Sequence, residues 1–497
     1  MQNFSEKNFD FLCKECDEIL LEQKTNIFRQ GNHILHVVRE HPIFTSRYIP
    51  IFKYKTHKFY FFLLKRFFLH LAKLSAQFFF IAISIPVRKK TKVFNKKKSS
   101  IFFSHFLKDS FINHNKDFYF SSLPDKFCGA KSNSIVFYIN STNHSSEKLN
   151  KKFNDDSKNC FALPKLLSLQ KETKILLGLL KDGFRLFKDS FHYNGERKKV
   201  RELAAIESLS TNSRFSIRMF YLAKKIIDKI EPKYLFTTYE GHPWERLVYA
   251  AAKLKNKKIK NIGYQHALIF RKQHAIRRNL ADQFNPDFIL TSGKYGKVKL
   301  GKSKILSNEK IINFGSPRTD TNVKLLKSLN PNKNCVLFLP EGDYGECELM
   351  IDLAFELSTY RKNMNYIIRF HPLISVERLE DKFKKLLLLN ENVKFSISSL
   401  ENDLFESNYV IYRGTTAVVK AIEHGLYPIY FSLKNEMSIN PLHDINIDSI
   451  FNKFDFSKII STSELIKRSK LKKIQKHTIG FFSPLNYKEA LKIKTIQ

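Results

Sequence analysis

The sequence predicts an α/β protein of two doubly wound parallel sheets facing a cleft, preceded by a basic helical extension. Three observations carry that expectation. Residues 366–431 run strand, strand, helix, strand, and such alternation implies parallel strands joined by crossover helices. Residues 234–314 repeat the pattern, with strand-like runs at 234–238, 259–264, 288–291 and 311–314. Between the two, the polar NPNKN at 330–334 reads as a linker, and a new apolar run, CVLFL, starts at Cys335. The expected units are an extension over 1–98, a first sheet domain over 99–329 and a second over 330–497 with a final helix.

Length and composition agree with this. The chain has 497 residues and 43% apolar content, enough for two to three domains with real cores. Its formal net charge of +38 suggests an anionic partner, or else a lysine-rich composition with no partner behind it. No ribonucleoprotein-like aromatic signature, zinc-finger spacing or basic helix repeat supports nucleic acid. Six cysteines in such a length do not make a disulfide framework. Cys13 and Cys16 form one C-x-x-C with no second pair, so no metal site is expected from them. The first residues are acidic and polar and lack the apolar core of a signal peptide, so the expected location is cytoplasmic.

Taken in order, residues 59–87 are rich in Phe, Leu and Ile, but Lys65, Arg66, His70 and Lys73 interrupt them. The apolar run 78–87 is about half the length of a membrane span. Basic runs at 88–90 and 96–98 follow. This reads as a helix lying on an anionic membrane surface, at the inner face of the cell membrane, or as a buried helix followed by a basic linker. Strands are expected at 101–105 and 134–139, an exposed loop at 140–157, and helices at 165–187 and 214–230. The strand 234–238 ends in Tyr239-Glu240-Gly241-His242-Pro243, where Gly241 and Pro243 mark a turn and Trp244 opens a helix over 245–254. The strand 259–264 delivers Gln265 and His266 at its carboxyl end, and 335–339 delivers Pro340-Glu341-Gly342-Asp343. The strand 366–370 stops at His371-Pro372, because proline cannot donate to a ladder. After the strand 409–412 and Arg413-Gly414, Thr415-Thr416 resemble a helix N-cap, and Gly425 ends that helix.

In such sheets ligands sit outside the carboxyl ends of the strands. Arg369, His371, Arg413, Gly414, Thr415 and Thr416 would gather there on the second sheet. A helix N-terminus, two hydroxyls, an imidazole and an arginine fork suit a phosphate. Arg369 could instead form a structural ion pair. On the first sheet the same edge would carry Glu240, His242, Glu245, Gln265 and His266. Glu240 sits directly at a strand end and is the preferred general base toward an acceptor hydroxyl. Glu245 and His242 are expected acceptor contacts, with the alternative that Glu245, which begins a helix, only complements its dipole; Gln265 and His266 are substrate contacts or loop locks. Glu341 competes for a catalytic or acceptor-binding role. Neither a P-loop nor a dinucleotide fingerprint is present, and no D-x-D run signals a metal-dependent sugar transferase.

With these residues in place, the chain resembles the GT-B glycosyltransferases, which pair two Rossmann-like domains. It is similar above all to the bacterial surface-carbohydrate transferases of the sialyl-, polysialyl- and Kdo-transferase type, which use CMP-activated sugars. His371-Pro372 and Thr415-Thr416 match the two motifs that hold the CMP phosphate in those enzymes. Tyr239-Glu240-Gly241 matches the acidic motif of the base in part, with tyrosine in place of one acid. Lys420 stands where many such enzymes hold the ribose with a glutamate, which mildly favours an acidic sugar. The resemblance spans about residues 230–445. It implies a metal-independent transferase with His371 and Glu240 at the reacting groups and no cofactor beyond a nucleotide-sugar co-substrate, a CMP-sugar above others. The acceptor would be a surface glycan or its lipid-linked precursor. Rival readings are a polyol-phosphate transferase of the teichoic-acid type and a non-catalytic basic scaffold of the same fold.

Overall fold

The computed structural model describes residues 4–22, 26–84, 98–107, 117–127, 133–155, 159–303, 305–317, 319, 334–372 and 374–496. Two sheets organise it. The first has seven parallel strands: β1 (Ser100–Phe106), β2 (Ser134–Asn140), β3 (Cys160–Ala162), β4 (Tyr234–Thr238), β5 (Lys260–Gln265), β6 (Phe288–Thr291) and β7 (Ile311–Asn313). Their order is β3-β2-β1-β4-β5-β6-β7. The second has six: β8 (Cys335–Leu339), β9 (Asn365–Ile368), β10 (Val393–Phe395), β11 (Tyr409–Tyr412), β12 (Tyr427–Phe431) and β13 (Asp448–Ile450). Their order, β10-β9-β8-β11-β12-β13, repeats the first sheet's. All pairings are parallel. The strands are short, continuous apolar runs because both faces of a parallel sheet are covered; β8 and β12 are buried at every position.

Each order reverses once, between β1 and β4 and again between β8 and β11. Neighbouring crossovers there turn to opposite faces and leave a crevice at the strand ends. Register fixes what faces it. Phe103 pairs with Thr237, so His105 lies level with Tyr239. Tyr412 pairs with Leu339, so Gly414 lies level with Glu341.

The N-terminal residues are no separate appendage. Phe9, Leu12 and Ile19 of the helix Glu6–Leu21 share one core with Leu247 and Val248 of the helix Pro243–Lys255. The apolar run lies in a helix over Thr56–Ser84. No helix among the described residues is long and apolar enough to cross a membrane. The basic run 88–90 and most of the 330–334 linker lie outside the described residues. Residues 140–157, expected as a loop, contain the helix Ser146–Asp155. Its Leu149 and Phe153 are the only two large apolar residues that anchor it, too few to stand out in a polar stretch. The tail also departs from expectation. After the helix Glu464–Thr478 on the second sheet, the chain returns to the first, where Ala490 and Ile493 pack with Phe102, Phe236 and Phe314. Backbone bonds from Ser316 to Ser483 (2.8 Å) and from Asn486 to Phe314 (2.7 Å) fasten it there.

Candidate functional site

At the first switch point β4 ends in a tight turn. Gly241 has φ +86°, and an added Cβ would lie 2.2 Å from the Ala275 carbonyl carbon, so only glycine fits. The turn feeds the helix Pro243–Lys255, whose first-turn Glu245 folds back. Its carboxyl group accepts the backbone N–H groups of Glu240, Gly241 (2.8 Å) and His242 (2.8 Å). Glu245 is 1% exposed. It is thus a capping residue, and the expected acceptor contact is corrected: its oxygens are occupied and enclosed. Burial pushes its carboxyl up to about 7, against the pull of His242 and the N–H groups. An acid with a raised folded pKa stabilises fully below its unfolded value of 4.5, and that stability is lost as pH rises through 7. Glu245→Gln keeps an acceptor oxygen without the charge and is expected to flatten the fall in Tm between roughly pH 5 and 8. Glu245→Ala, which leaves three N–H groups unmet, is expected to lower Tm at every pH, by about 1–3 kcal/mol of stability; thermal melts of the three proteins across pH check both.

With Glu245 capping the turn, Glu240 is left facing the crevice. Its Oε2 lies 3.3 Å from His242 Nε2, and its Oε1 lies 3.9 Å from His266 Nε2. Its side chain is a quarter exposed. Burial alone would raise its pKa, but the His242 hydrogen bond and the charges of His266, His242 and Arg39 hold it well below the usual carboxylate range. His242 moves the other way. Burial would lower it, but the hydrogen bond it donates to Glu240 and the charges of Glu245 and Glu240 raise it above 6.5. The walls are aromatic. His105, from the end of β1, meets the Trp244 ring edge-on at 5.4 Å, and Tyr119 meets His266 at 4.6 Å. Burial keeps His105 neutral, down to about 4, and His33 likewise, down to about 3.

Two residues on this edge turn away from the crevice. Gln265 is enclosed and locks a loop: Nε2 donates to Ala267 O and to Ser292 Oγ (3.2 Å), and Oε1 accepts Ser292 N–H (3.3 Å). It has no atom left for an acceptor. Tyr239, in the place of a second acid, points inward, its ring against Gly263 and Tyr249. A carboxylate there would be buried among apolar residues, so the tyrosine removes nothing from the crevice.

At the second switch point Glu341 and Gly342 follow β8, and Gly414 follows β11. An added Cβ at Gly414 would lie 2.8 Å from Glu341 Oε1 and 2.9 Å from His41 Cδ2. One at Gly342 would lie 3.1 Å from His371 Nδ1. His371 is exposed at the end of β9. Thus Glu341, Gly342, His371 and Gly414 form one glycine-floored cluster. Thr415 and Thr416 border it, half-buried. They do not cap a helix as expected. Thr415 Oγ1 accepts Ala417 N–H (3.3 Å) in a local turn, and the helix Val418–Glu423 starts later, with Ala417 at its cap.

The three cations assigned to this site are engaged elsewhere. Arg413 is 0% exposed, its guanidinium bound to Glu346 (2.6 Å), Glu436 (2.7 Å) and the Phe431 carbonyl (3.0 Å). Arg369 donates to Asp403 (2.8 Å) and to the Ser398 carbonyl (2.8 Å). Lys420 pairs with Glu401 at 2.5 Å. The three pairings have one reason: a guanidinium or ammonium near a sheet edge is stabilised by a carboxylate on a neighbouring helix, Glu346 on Tyr344–Tyr360 and Glu401 and Asp403 on Leu400–Glu406, which sequence spacing does not reveal.

Residues 38–41 join the two edges and were missed. Val38 O accepts the His274 N–H (3.0 Å), seating this segment beside Gly241. The charge of Arg39 acts on Glu240 and His242 on one side and on His41 on the other, and His41 touches Gly414. His41 is buried and neutral, and its Nε2 has no hydrogen-bond partner among the described residues. Nothing in the sequence signals this, because about 200 residues separate the segment from Glu240. His105 was within reach, since it ends a strand already recognised. Cys13 and Cys16 are buried, free thiols that burial pushes up, as in a structural core. Among the described residues no group of three or more His, Cys, Asp or Glu is placed to hold a metal.

The two sheets, repeated in order, define the class: an α/β protein of two doubly wound domains with a candidate site at the strand ends. No family model and no curated protein matches the chain. Solved structures similar in course include UDP-GlcNAc 2-epimerase from Neisseria meningitidis bound to UDP-GlcNAc, at 11% identity and a TM-score of 0.45, covering 80% of this chain and 98% of that one. The glycotransferase of kitacinnamycin aligns at 9% identity and a TM-score of 0.44, over 80% and 99%. MurG of Acinetobacter baumannii aligns at 10% and 0.43, over 80% and 100%.

Proposed function

We propose that the chain is a GT-B-type glycosyltransferase that moves a sugar from a nucleotide donor at the second sheet to an acceptor hydroxyl at the first. The observation that carries this reading is Glu240, an ionised carboxylate free of capping duty at one switch point, opposite the glycine-floored cluster at the other. In the reaction, the acceptor oxygen attacks the anomeric carbon and its proton passes to Glu240. The bond from that carbon to the phosphate oxygen breaks, and the electron pair leaves with the phosphate. His371, the Gly414 backbone and the hydroxyls of Thr415 and Thr416 would meet the charge that develops there. The glycines let the phosphate approach the backbone closely.

We take the donor to be a CMP-sugar and the acceptor a surface glycan or its lipid-linked precursor. The His371-Pro372 and Thr415-Thr416 pairs support the nucleotide. Lys420 lends no weight to an acidic sugar, because Glu401 holds it. The test is thermal stabilisation across CMP, CDP, CDP-glycerol, UDP, GDP and ADP, with and without magnesium. CMP at a hundred times its Kd is expected to stabilise the fold by about 2.7 kcal/mol, independently of magnesium, and His371→Ala is expected to remove most of that. A shift with UDP alone would discard the donor, and one with CDP-glycerol would favour polyol-phosphate transfer. No shift with any nucleotide would favour the scaffold reading.

A further inference from the structure

The helix Thr56–Ser84 buries Phe59 and Leu63 in the core and carries a second, outward apolar row that a helix ending at water does not need. Three of its polar residues, Arg66, His70 and Gln77, point inward. Arg66 and His70 bond to Glu207 (2.6 and 3.2 Å), and Gln77 donates to Glu172 (2.9 Å). Phe59 joins the core, but other aromatic residues point outward. Phe61, Phe68 and Phe79 share one face at helical spacing, and Phe61 and Phe79 are 72% and 64% exposed. The row spans about 27 Å at 1.5 Å per residue. The helix Leu169–Ser190 packs beside it, with Gln77 bonded to Glu172, and repeats the arrangement. Leu177, Phe184 and Phe191 form an outward row, Phe184 70% exposed, while Glu172 and Asp182 turn inward to Arg218 and Arg29.

The exposed charges beside these rows have one sign. The first helix contains no Asp or Glu at all and exposes Lys58, Lys65 and Lys73. The second exposes Lys181, Arg185 and Lys188 among others, while its Asp189 is half-buried. A protein partner would offer carboxylates only where they matched this pattern. An anionic bilayer supplies negative phosphates everywhere, with an apolar interior at the depth the rings reach. Lysine and arginine stems can lie along the apolar face and hold their charges at the headgroups.

We propose that these two helices form a surface that docks on an anionic lipid bilayer without crossing it. The inference stands apart from the transfer reaction proposed above, and its test needs no substrate. The purified full chain is floated with vesicles of phosphatidylcholine alone and with vesicles rich in phosphatidylglycerol. Binding to the second at least tenfold above the first, weakening as salt rises, is expected. Lys181→Glu/Arg185→Glu is expected to lose at least tenfold in partitioning, since each cation near an anionic surface contributes about fivefold. Phe61→Ser/Phe68→Ser/Phe79→Ser should lose binding to both, with Tm unchanged because the rings touch solvent. Phe184→Ser on the neighbouring helix gives a second reading should that variant misfold. Equal floatation of wild type and both variants, or no floatation at all, would overturn the proposal. So would light scattering that shows a wild-type dimer converted to monomer by the phenylalanine variant, since the rows would then be an interface between copies of this chain.

Discussion

Glu240→Gln is expected to lower sugar transfer by about 10²–10⁴-fold, the range a positioned general base supplies, while leaving the fold and nucleotide binding intact. The amide keeps the size and one acceptor oxygen for His242 and His266 but cannot take a proton. Donor stabilisation should be unchanged, because the donor cluster lies on the other sheet. The pH profile gives a sharper test. Below the raised pKa of His242, the imidazolium at 3.3 Å pairs with Glu240 and makes it a poor base. Above it the imidazole is neutral and the carboxylate is released. Activity is therefore expected to rise with pH through a value above 6.5. Other groups face the pair. His33 and His105 stay neutral in this range and Glu245 titrates near 7, so His242→Gln is the control that assigns the limb. In that variant the limb should move to lower pH. Full activity in Glu240→Gln would remove Glu240 as the base and leave Glu341 as the acid to test.

Arg413→Met is expected to destabilise the second domain by about 3–5 kcal/mol, because it leaves Glu346 as a buried, unpaired charge. Glu346 is 1% exposed at the side chain, and its partner arginine 0%. On a domain of this size the loss corresponds to a Tm fall on the order of 10 °C. Arg413→Met/Glu346→Leu should recover most of it, since replacing a buried ion pair by apolar residues is often neutral. Thermal melts of the single and double variants decide the matter. An arginine that held the donor phosphate would behave differently: the single variant would melt near wild type but lose stabilisation by CMP, and the second substitution would restore nothing.

These two expectations differ because of what each residue faces, and that was only half legible beforehand. Glu240 was readable as a strand-end acid beside a glycine turn. What distinguished it from Glu245 was hydrogen bonding: three backbone N–H groups converge on Glu245 and leave Glu240 open. Arg413 was equally readable as a strand-end cation, yet Glu346 lies 67 residues away in sequence and on the neighbouring crossover. A spacing argument finds a carboxylate four residues off on a helix, not one brought in by the sheet. Arg369 with Asp403 and Lys420 with Glu401 are cases of the same kind. The thresholds of short elements were also unclear, as with the helix Ser146–Asp155, where two buried residues suffice once a neighbouring strand covers them.

The sequence by itself determined the α/β class, most of the strands and the strand ends at which Glu240, His266, Glu341, His371 and Gly414 emerge. It could do so because apolar runs, prolines and glycines act over a few residues, and because parallel strands send their loops to one edge. Tertiary structure alone decided which emerging side chains remain available, because ion pairs and caps form between residues far apart in the chain. It also decided that residues 38–41 bridge the two edges and that the tail returns to the first sheet. Those placements follow from burying apolar surface shared by distant segments, a quantity that no local stretch of sequence contains.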